Sequence, residues 1–284
     1  MGSFAAAWNR LCFAPVAARR LGVSRALVLG GLFAIYAQSD YGAHATVAPV
    51  FYEPTWLGFP IAPAGWLRAM HRLWLVALAL AAVGLFTRAA TFVAFVSGTY
   101  LLGVEAGFGR FHTGPAVAIA LGAFAASRAG DAFSLDALRR GSPPPAPDGE
   151  YLWPLRAIEL TLATAFFAAG VAKLRHGGLE WITSDNLRLH LLDRSYLVIP
   201  SGSLGLGLAQ SPFLCKVVAA GTVATELLYP MALFSRRARP AVVTASLLTL
   251  GGFAIFFGPR FWTFAVLSLV WVPWERFFAS SLSR

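Results

Sequence analysis

The sequence predicts an all-α integral membrane protein, folded as a polytopic bundle of transmembrane helices. Hydrophobic residues make up 57% of its 284 residues and charged residues only 13%, whereas charged residues are about 25% of average soluble domains. The mean hydropathy of +0.65 points the same way. A soluble domain of this size would not bury so much apolar surface, so the bilayer is its expected surrounding.

Apolar runs along the chain place the helices. About eight runs approach the roughly 20 residues that a membrane-spanning helix needs. They cover residues 24–43, 67–86, 88–106, 113–129, 152–173, 213–234, 240–258 and 260–274. Only Gly258 and Pro259 separate the last two runs, and the run at 113–129 is short, so seven spans remain an alternative to eight.

The distribution of basic residues predicts the orientation. With eight spans and the N-terminus inside, fourteen Lys and Arg residues fall on the inner side and nine on the outer side. This bias is the sense of the positive-inside rule, so both termini of this multi-pass protein are expected in the cytoplasm. The net charge of +10 is dispersed between apolar runs, a pattern that favours contact with anionic lipid and not with nucleic acid.

Two connecting segments stand out by their composition. Residues 130–150 form a polar inner loop whose proline-rich end, 141–150, predicts a flexible connector within a single domain spanning 1–284. Residues 174–212 form an outer loop too apolar to be disordered, which predicts a cap on the membrane surface. Within this cap, 184–193 is expected to be a short amphipathic helix with Ser184 as its N-cap.

Charged residues inside apolar runs are candidates for function, because each costs at least about 2.5 kcal/mol to insert. Lys173 ends a long apolar run, so it either snorkels to the interface or acts as a base, since an apolar site weakens a lysine's hold on its proton. Glu159 lies about 21 Å from Lys173 on the same helix, and Arg156 is its expected partner. Glu226 has no partner on its own helix, so it either pairs with another helix or serves as a substrate or proton site.

Further polar residues fall at or outside the outer membrane face in this topology. Their convergence under an apolar cap predicts an active site or substrate pocket. The set comprises His44, Glu53, Glu105, Arg110, His112, Lys173, His176, Glu180 and Asp185. Cys12 and Cys215 fall on opposite faces, and metal-ligand spacing is absent from the sequence, so neither a disulfide nor a bound metal is expected.

The stretch FFAAGVAKLRHGGLEWITSDNLRLHLL (166–192) resembles the vitamin K-dependent gamma-carboxylase-like membrane family, whose members carry the HTTM domain. The matching residues are Phe167, Ala169, Gly170, Lys173, Leu174 and Trp181. Similar matches occur, in family order, at GLFTRAATFVAF (84–95), FHTGPAVAIALGAF (111–124), SLDAL (134–138) and ELLYPMALFSRRARP (226–240). The chain departs from the family pattern at Phe111 and Gly252.

The resemblance implies a site and a cofactor. Lys173 matches the base that deprotonates the hydroquinone of vitamin K, and His112 matches an active-site histidine. A reduced quinone of the vitamin K or menaquinol type is the implied cofactor. We expect the substrate to be bound by Trp181, Arg110, Glu105 and Glu226. Carboxylation of a polypeptide is not expected, since no segment of the 284 residues corresponds to the soluble substrate-gripping domain of the carboxylases.

Three functions remain open on the sequence alone. The first is a membrane enzyme that acts on a quinol or another lipophilic small molecule. The second is a non-catalytic accessory protein that helps a membrane protein partner mature, in which case Lys173 is an anchor. The third is a lipid or small-solute transporter that uses Glu159 and Glu226.

Overall fold

A computed structural model describes residues 2–53, 61–109, 113–141, 143–197, 204–258 and 261–278. Apart from one isolated bridge between Val16 and Asp148, the regular elements in these ranges are helical. The α-helices are α1 (Gly2–Cys12), α2 (Ala18–Tyr36), α3 (Ala64–Val83), α4 (Thr87–Gly107), α5 (Gly114–Ala125), α6 (Leu135–Arg140), α7 (Trp153–Gly177), α8 (Glu180–Thr183), α9 (Asn186–Leu197), α10 (Leu204–Ala209), α11 (Pro212–Leu228), α12 (Met231–Phe234), α13 (Arg239–Gly252), α14 (Trp262–Leu267) and α15 (Glu275–Phe278).

Four helical segments are long and apolar enough to cross a membrane. They are α3, α4, α7 and the stretch Arg239–Phe257, in which α13 continues into a π-helical turn (Phe253–Phe257). Two shorter apolar helices, α5 and the segment Trp262–Trp271, accompany them. The predicted class, a helical membrane protein, is therefore confirmed, while the number of spans and the orientation of the termini stay predictions.

Each predicted apolar run contains a helix, but the run at 213–234 is divided into two. Its first part, α11, has 17 residues and is thus about 26 Å long, less than the roughly 30 Å of a bilayer core. The chain turns at Tyr229 and Pro230 before α12 begins. Proline lacks a backbone N–H and its ring crowds the preceding turn, which accounts for the break.

The chain divides into two compact units, one of residues 1–159 and 266–284 and one of residues 160–265. In the first unit α2, α3, α4 and α5 pack in sequence around the fully buried Trp74. The ring of Tyr36 lies 4.6 Å from that of Trp74. A Cβ at Gly98 would lie 2.6 Å from the Trp74 indole nitrogen, so a glycine is needed where α4 meets this ring. The single domain over 1–284 stays a prediction.

Buried polar contacts fix the end of the first unit at which α4 begins. The guanidinium of Arg25, which is fully buried, donates to the carbonyls of Ala129 and Phe133 at 2.8 and 2.7 Å. The Asp136 carboxylate accepts from the backbone N–H groups of Phe86 and Thr87, and thus caps α4. The C-terminal end of the predicted connector, 141–150, is held by the bridge from Asp148 to Val16.

In the second unit the described part of the loop predicted as a cap, 174–197 and 204–212, contains the helices α8, α9 and α10. The predicted helix at 184–193 is present, but it begins at Asn186 and continues to Leu197. The Ser184 hydroxyl accepts from the Asn186 N–H at 3.2 Å. Because the helix begins at Asn186, Ser184 lies one residue before the N-cap position that it was predicted to occupy. Apolar residues of α9, α10 and α11 form a common core, with the buried members Leu187, Leu191, Ala209, Cys215 and Ala219. The position of this segment on a membrane surface stays a prediction.

Candidate functional site

One face of α7 presents four residues to the rest of the second unit. Phe166, Gly170, Lys173 and Gly177 follow one another at intervals of four, three and four residues, which places them on one side of a helix. The Phe166 ring stacks on Tyr229, with centroids 4.3 Å apart and planes inclined by 9°. This face therefore packs against the end of α11 and the residue that follows it.

Gly170 brings the backbone of α7 close to α11. A Cβ at this position would lie 3.0 Å from the Glu226 Cβ and 3.1 Å from side-chain carbons of Leu227, closer than side chains ordinarily approach. Since Gly170 is one turn from Lys173, its missing side chain lets the Lys173 ammonium reach the facing helix.

Lys173 and Glu226 form an ion pair between α7 and α11. The Lys173 Nζ donates to Oε1 of Glu226 at 2.6 Å and to Oε2 at 2.8 Å. The Glu226 side chain is only 5% exposed and that of Lys173 20%. The Glu226 carboxylate is thus paired between helices, one of its two predicted roles.

Trp181 forms an aromatic wall beside this pair. Its ring centroid lies 5.4 Å from the Lys173 Nζ, within range of a cation–π interaction. It comes from α8, which follows the turn after α7 at Gly177 and Gly178. A Cβ at Gly177 would lie 3.0 Å from that of Trp181, so this glycine leaves room for the indole.

The ion pair can serve as a proton-handling unit. Its formal charge is zero, and the bonded atoms are close enough for a proton to move between amine and carboxylate along one hydrogen bond. In apolar surroundings the charged and neutral forms of such a pair are closer in energy than they are in water, because burial penalises both charges. The pair can therefore accept a proton from a third group without an isolated buried charge forming first.

Other predicted site residues lie elsewhere or outside the described ranges. Arg110 and His112 belong to the segment that the structure does not describe. Glu105 is in the first unit, where its carboxylate accepts from the Tyr41 hydroxyl at 3.2 Å, and Tyr41 stacks on His44. In the second unit the exposed Asp185 carboxylate contacts Arg188 at 3.4 Å. Convergence of the whole outer set into one pocket stays a prediction.

Glu159 has a structural environment. It is completely buried and forms an ion pair with Arg156, as predicted. Arg20 adds a second, longer contact at 3.9 Å. Such a doubly contacted carboxylate is positioned to hold helices together, which weighs against a role in transport.

The sequence alone does not predict that Lys173 pairs with Glu226, or that Gly170 makes room for this pair. The sequence marks each of the three separately. Lys173 and Glu226 are charged residues in apolar runs, and Gly170 is a small residue in a family motif. Among the described residues, groups of three or more His, Cys, Asp or Glu side chains able to hold a metal ion are absent.

Taken together, the four helical segments of membrane-spanning length define a helical membrane protein, and a largely buried lysine–glutamate pair joins two of its helices. The chain belongs to the HTTM domain family, whose model matches residues 13–274. The match includes both compact units and nearly the whole chain. Neither a curated protein nor a solved structure matches it.

Proposed function

We propose that the Lys173–Glu226 pair is the proton-accepting centre of a membrane enzyme that acts on a reduced quinone or another lipophilic molecule with a weakly acidic O–H group. The supporting observation is the pair itself, with Nζ to carboxylate distances of 2.6 and 2.8 Å in a largely buried setting. A hydrophobic substrate reaches such a site from the lipid without crossing water.

The proposed role of Lys173 as a base needs Glu226. An ammonium group cannot accept a proton, so Lys173 first passes one to the Glu226 Oε1 along their 2.6 Å hydrogen bond. The neutral amine then takes the proton of the substrate O–H and is again an ammonium, while Glu226 remains protonated. The pair has gained one proton, and its ammonium lies where it stabilises the negative charge left on the substrate.

The residues around the pair suit a flat aromatic alcohol. Trp181 offers an indole face beside the Lys173 Nζ, and aromatic rings pack on one another in offset or edge-on arrangements. A bound reduced quinone would supply an acidic O–H and two reducing equivalents. The roles that the resemblance implies for His112, Arg110 and Glu105 stay predictions, separate from this pair.

The test uses the other lysine of the chain as a matched control. Lys216 is exposed on α11 and has no partner among the described residues. Detergent-purified protein is given a reduced menaquinone analogue and oxygen, and bound quinone and oxidised products are measured by mass spectrometry. We expect Lys173→Ala to lower the turnover at least about a hundredfold and Lys216→Ala to leave it unchanged. A wild-type protein without quinone binding and without turnover, or equal rates in both variants, would refute the proposal.

A non-catalytic role as a clamp between helices is the second candidate. The close approach at Gly170 and the Phe166–Tyr229 stack flank the ion pair and favour this role. The double variant Lys173→Met and Glu226→Leu separates the two functions, because apolar replacement of a whole buried pair commonly preserves stability. If the folded double variant still complements cells that lack the protein, the clamp is favoured. If the double variant folds but has lost quinol turnover, the enzyme is favoured.

A further inference from the structure

A cavity of about 310 Å³ opens in the first unit, whereas the lysine–glutamate pair belongs to the second. It is large enough for about ten water molecules at about 30 Å³ each. Its walls come from the first turns of α4, the end of α5, the segment between α5 and α6, and α6 itself. The charged residues of the lining are Arg88, Arg128, Arg140, Asp131 and Asp136.

Both carboxylates of the cavity are already hydrogen-bonded. Asp131 accepts from the Arg128 Nε at 2.8 Å and from the Tyr151 hydroxyl at 3.0 Å. Asp136 accepts from the N–H and hydroxyl groups of Thr87, both at 2.7 Å. Burial alone would raise the pKa of Asp136, but these bonds and a third from Phe86 lower it below its ordinary value. Both side chains therefore face protein donors, and the lowered pKa of Asp136 keeps that carboxylate anionic at neutral pH.

The arginines keep donors for a ligand. Arg88 is exposed, and its guanidinium group forms no hydrogen bond or ion pair with the part of the chain that the structure describes. Arg128 uses its Nε on Asp131, which leaves both of its terminal nitrogens. Three guanidinium groups and two carboxylates give the lining a formal charge of +1.

We propose that this cavity binds one phosphate group, either the phosphodiester of an anionic lipid headgroup or free inorganic phosphate. The forked N–H groups of Arg88 and Arg128 match the paired oxygens of a phosphate, and one surplus positive charge matches a monoanion. The cavity lies at the first turn of α4, a helix of membrane-spanning length. If α4 spans the bilayer, its end lies at the depth of lipid headgroups, which makes the lipid source accessible from the membrane plane.

The experiment measures dissociation constants of the detergent-purified protein for three probes. They are dimyristoyl phosphatidylglycerol, the phosphate-free diacylglycerol with the same chains, and inorganic phosphate at constant ionic strength. We expect saturable binding of phosphatidylglycerol or of inorganic phosphate and none of diacylglycerol. Saturation by phosphatidylglycerol alone identifies a lipid headgroup as the source, and saturation by inorganic phosphate identifies a free anion.

Arg88→Gln tests the site, with Arg237→Gln as its matched control. Arg237 is also exposed in a turn, but it does not line the cavity. Removing one charged donor should weaken phosphate binding about tenfold, while the control should bind as the wild type does. Equal affinity in wild type and Arg88→Gln would overturn the proposal. If the variant does not fold, the wild-type protein alone still tests the proposal. Equal affinities for phosphatidylglycerol and diacylglycerol, together with no saturable binding of inorganic phosphate, would overturn the proposal.

Discussion

At the scale of single residues, Gly170 sets the separation of α7 and α11 at the Lys173–Glu226 pair. Replacement by alanine would push a Cβ to 3.0 Å from that of Glu226. The helix-forming advantage of alanine, about 0.5–1 kcal/mol, is smaller than the about 1–3 kcal/mol that overpacking costs. We expect Gly170→Ala to lower the free energy of unfolding by about 1 kcal/mol, measured by thermal unfolding in detergent.

Gly221→Ala is the control for this prediction. Gly221 also lies within a helix of the second unit, but a Cβ there meets no atom within 4 Å. Alanine at this position should therefore raise the unfolding temperature, because only the gain in helix propensity remains. Stabilisation by both substitutions would show that α7 and α11 are not tightly packed at Gly170.

The sequence predicts the two members of the Lys173–Glu226 pair but not their contact. The cost of burying charge singles out Lys173 and Glu226 separately. Their pairing was not predictable, because they are 53 residues apart and helical periodicity relates only residues of one helix. The pair of Arg156 and Glu159, three residues apart on one helix, was predicted correctly for that reason.

At the scale of elements, Asp136 acts as the N-cap of α4 from a distant point in the chain. Its carboxylate accepts two backbone N–H groups and one hydroxyl at the start of that helix, where negative charge is favoured. Since these contacts lower the pKa of Asp136 below its ordinary value of 3.8, the carboxylate stabilises the fold fully above about pH 4. The stabilisation is lost as the pH falls through the lower pKa of the folded state.

Asp136→Asn should therefore lower the free energy of unfolding by about 1 kcal/mol at pH 7, as loss of a helix cap commonly does. The difference from wild type should shrink as the pH falls below about 4, because the wild-type carboxyl then becomes protonated. Unfolding in detergent between pH 7 and pH 3 measures this. Asp193→Asn, an exposed change on α9, should have little effect at any pH. A difference that stays constant down to pH 3 would contradict the charged cap.

Helices were more predictable than their interruptions. The predicted apolar runs all contain helices because length and apolar composition suffice to specify a helix in a bilayer. The break after α11 and the π-helical turn that follows α13 were not predicted. Such breaks depend on how particular turns pack against neighbouring helices, which hydrophobic periodicity does not record.

The membrane topology of the complete chain depends on its short helices. The 12 residues of α5 extend about 18 Å, well short of a bilayer core of about 30 Å. If α5 crosses the membrane with its flanking residues, there are eight spans and the 141–150 connector is inside. If α5 re-enters on the same side, every later loop changes sides.

Single cysteines in exposed loop positions distinguish these topologies. Pro147, Glu180 and Arg237 are exposed, and the two native cysteines are buried, so their background labelling should be low. With eight spans and an inner N-terminus, a membrane-impermeant maleimide should label Glu180→Cys in intact cells. Pro147→Cys and Arg237→Cys should react only after permeabilisation, because their loops are then cytoplasmic.

The reverse pattern, with Pro147→Cys and Arg237→Cys labelled and Glu180→Cys protected, would mean either that α5 does not span or that the whole orientation is inverted. A cysteine at Ser39, on the loop after α2 and before α5, separates these cases, since it is labelled in intact cells only when the N-terminus is inside.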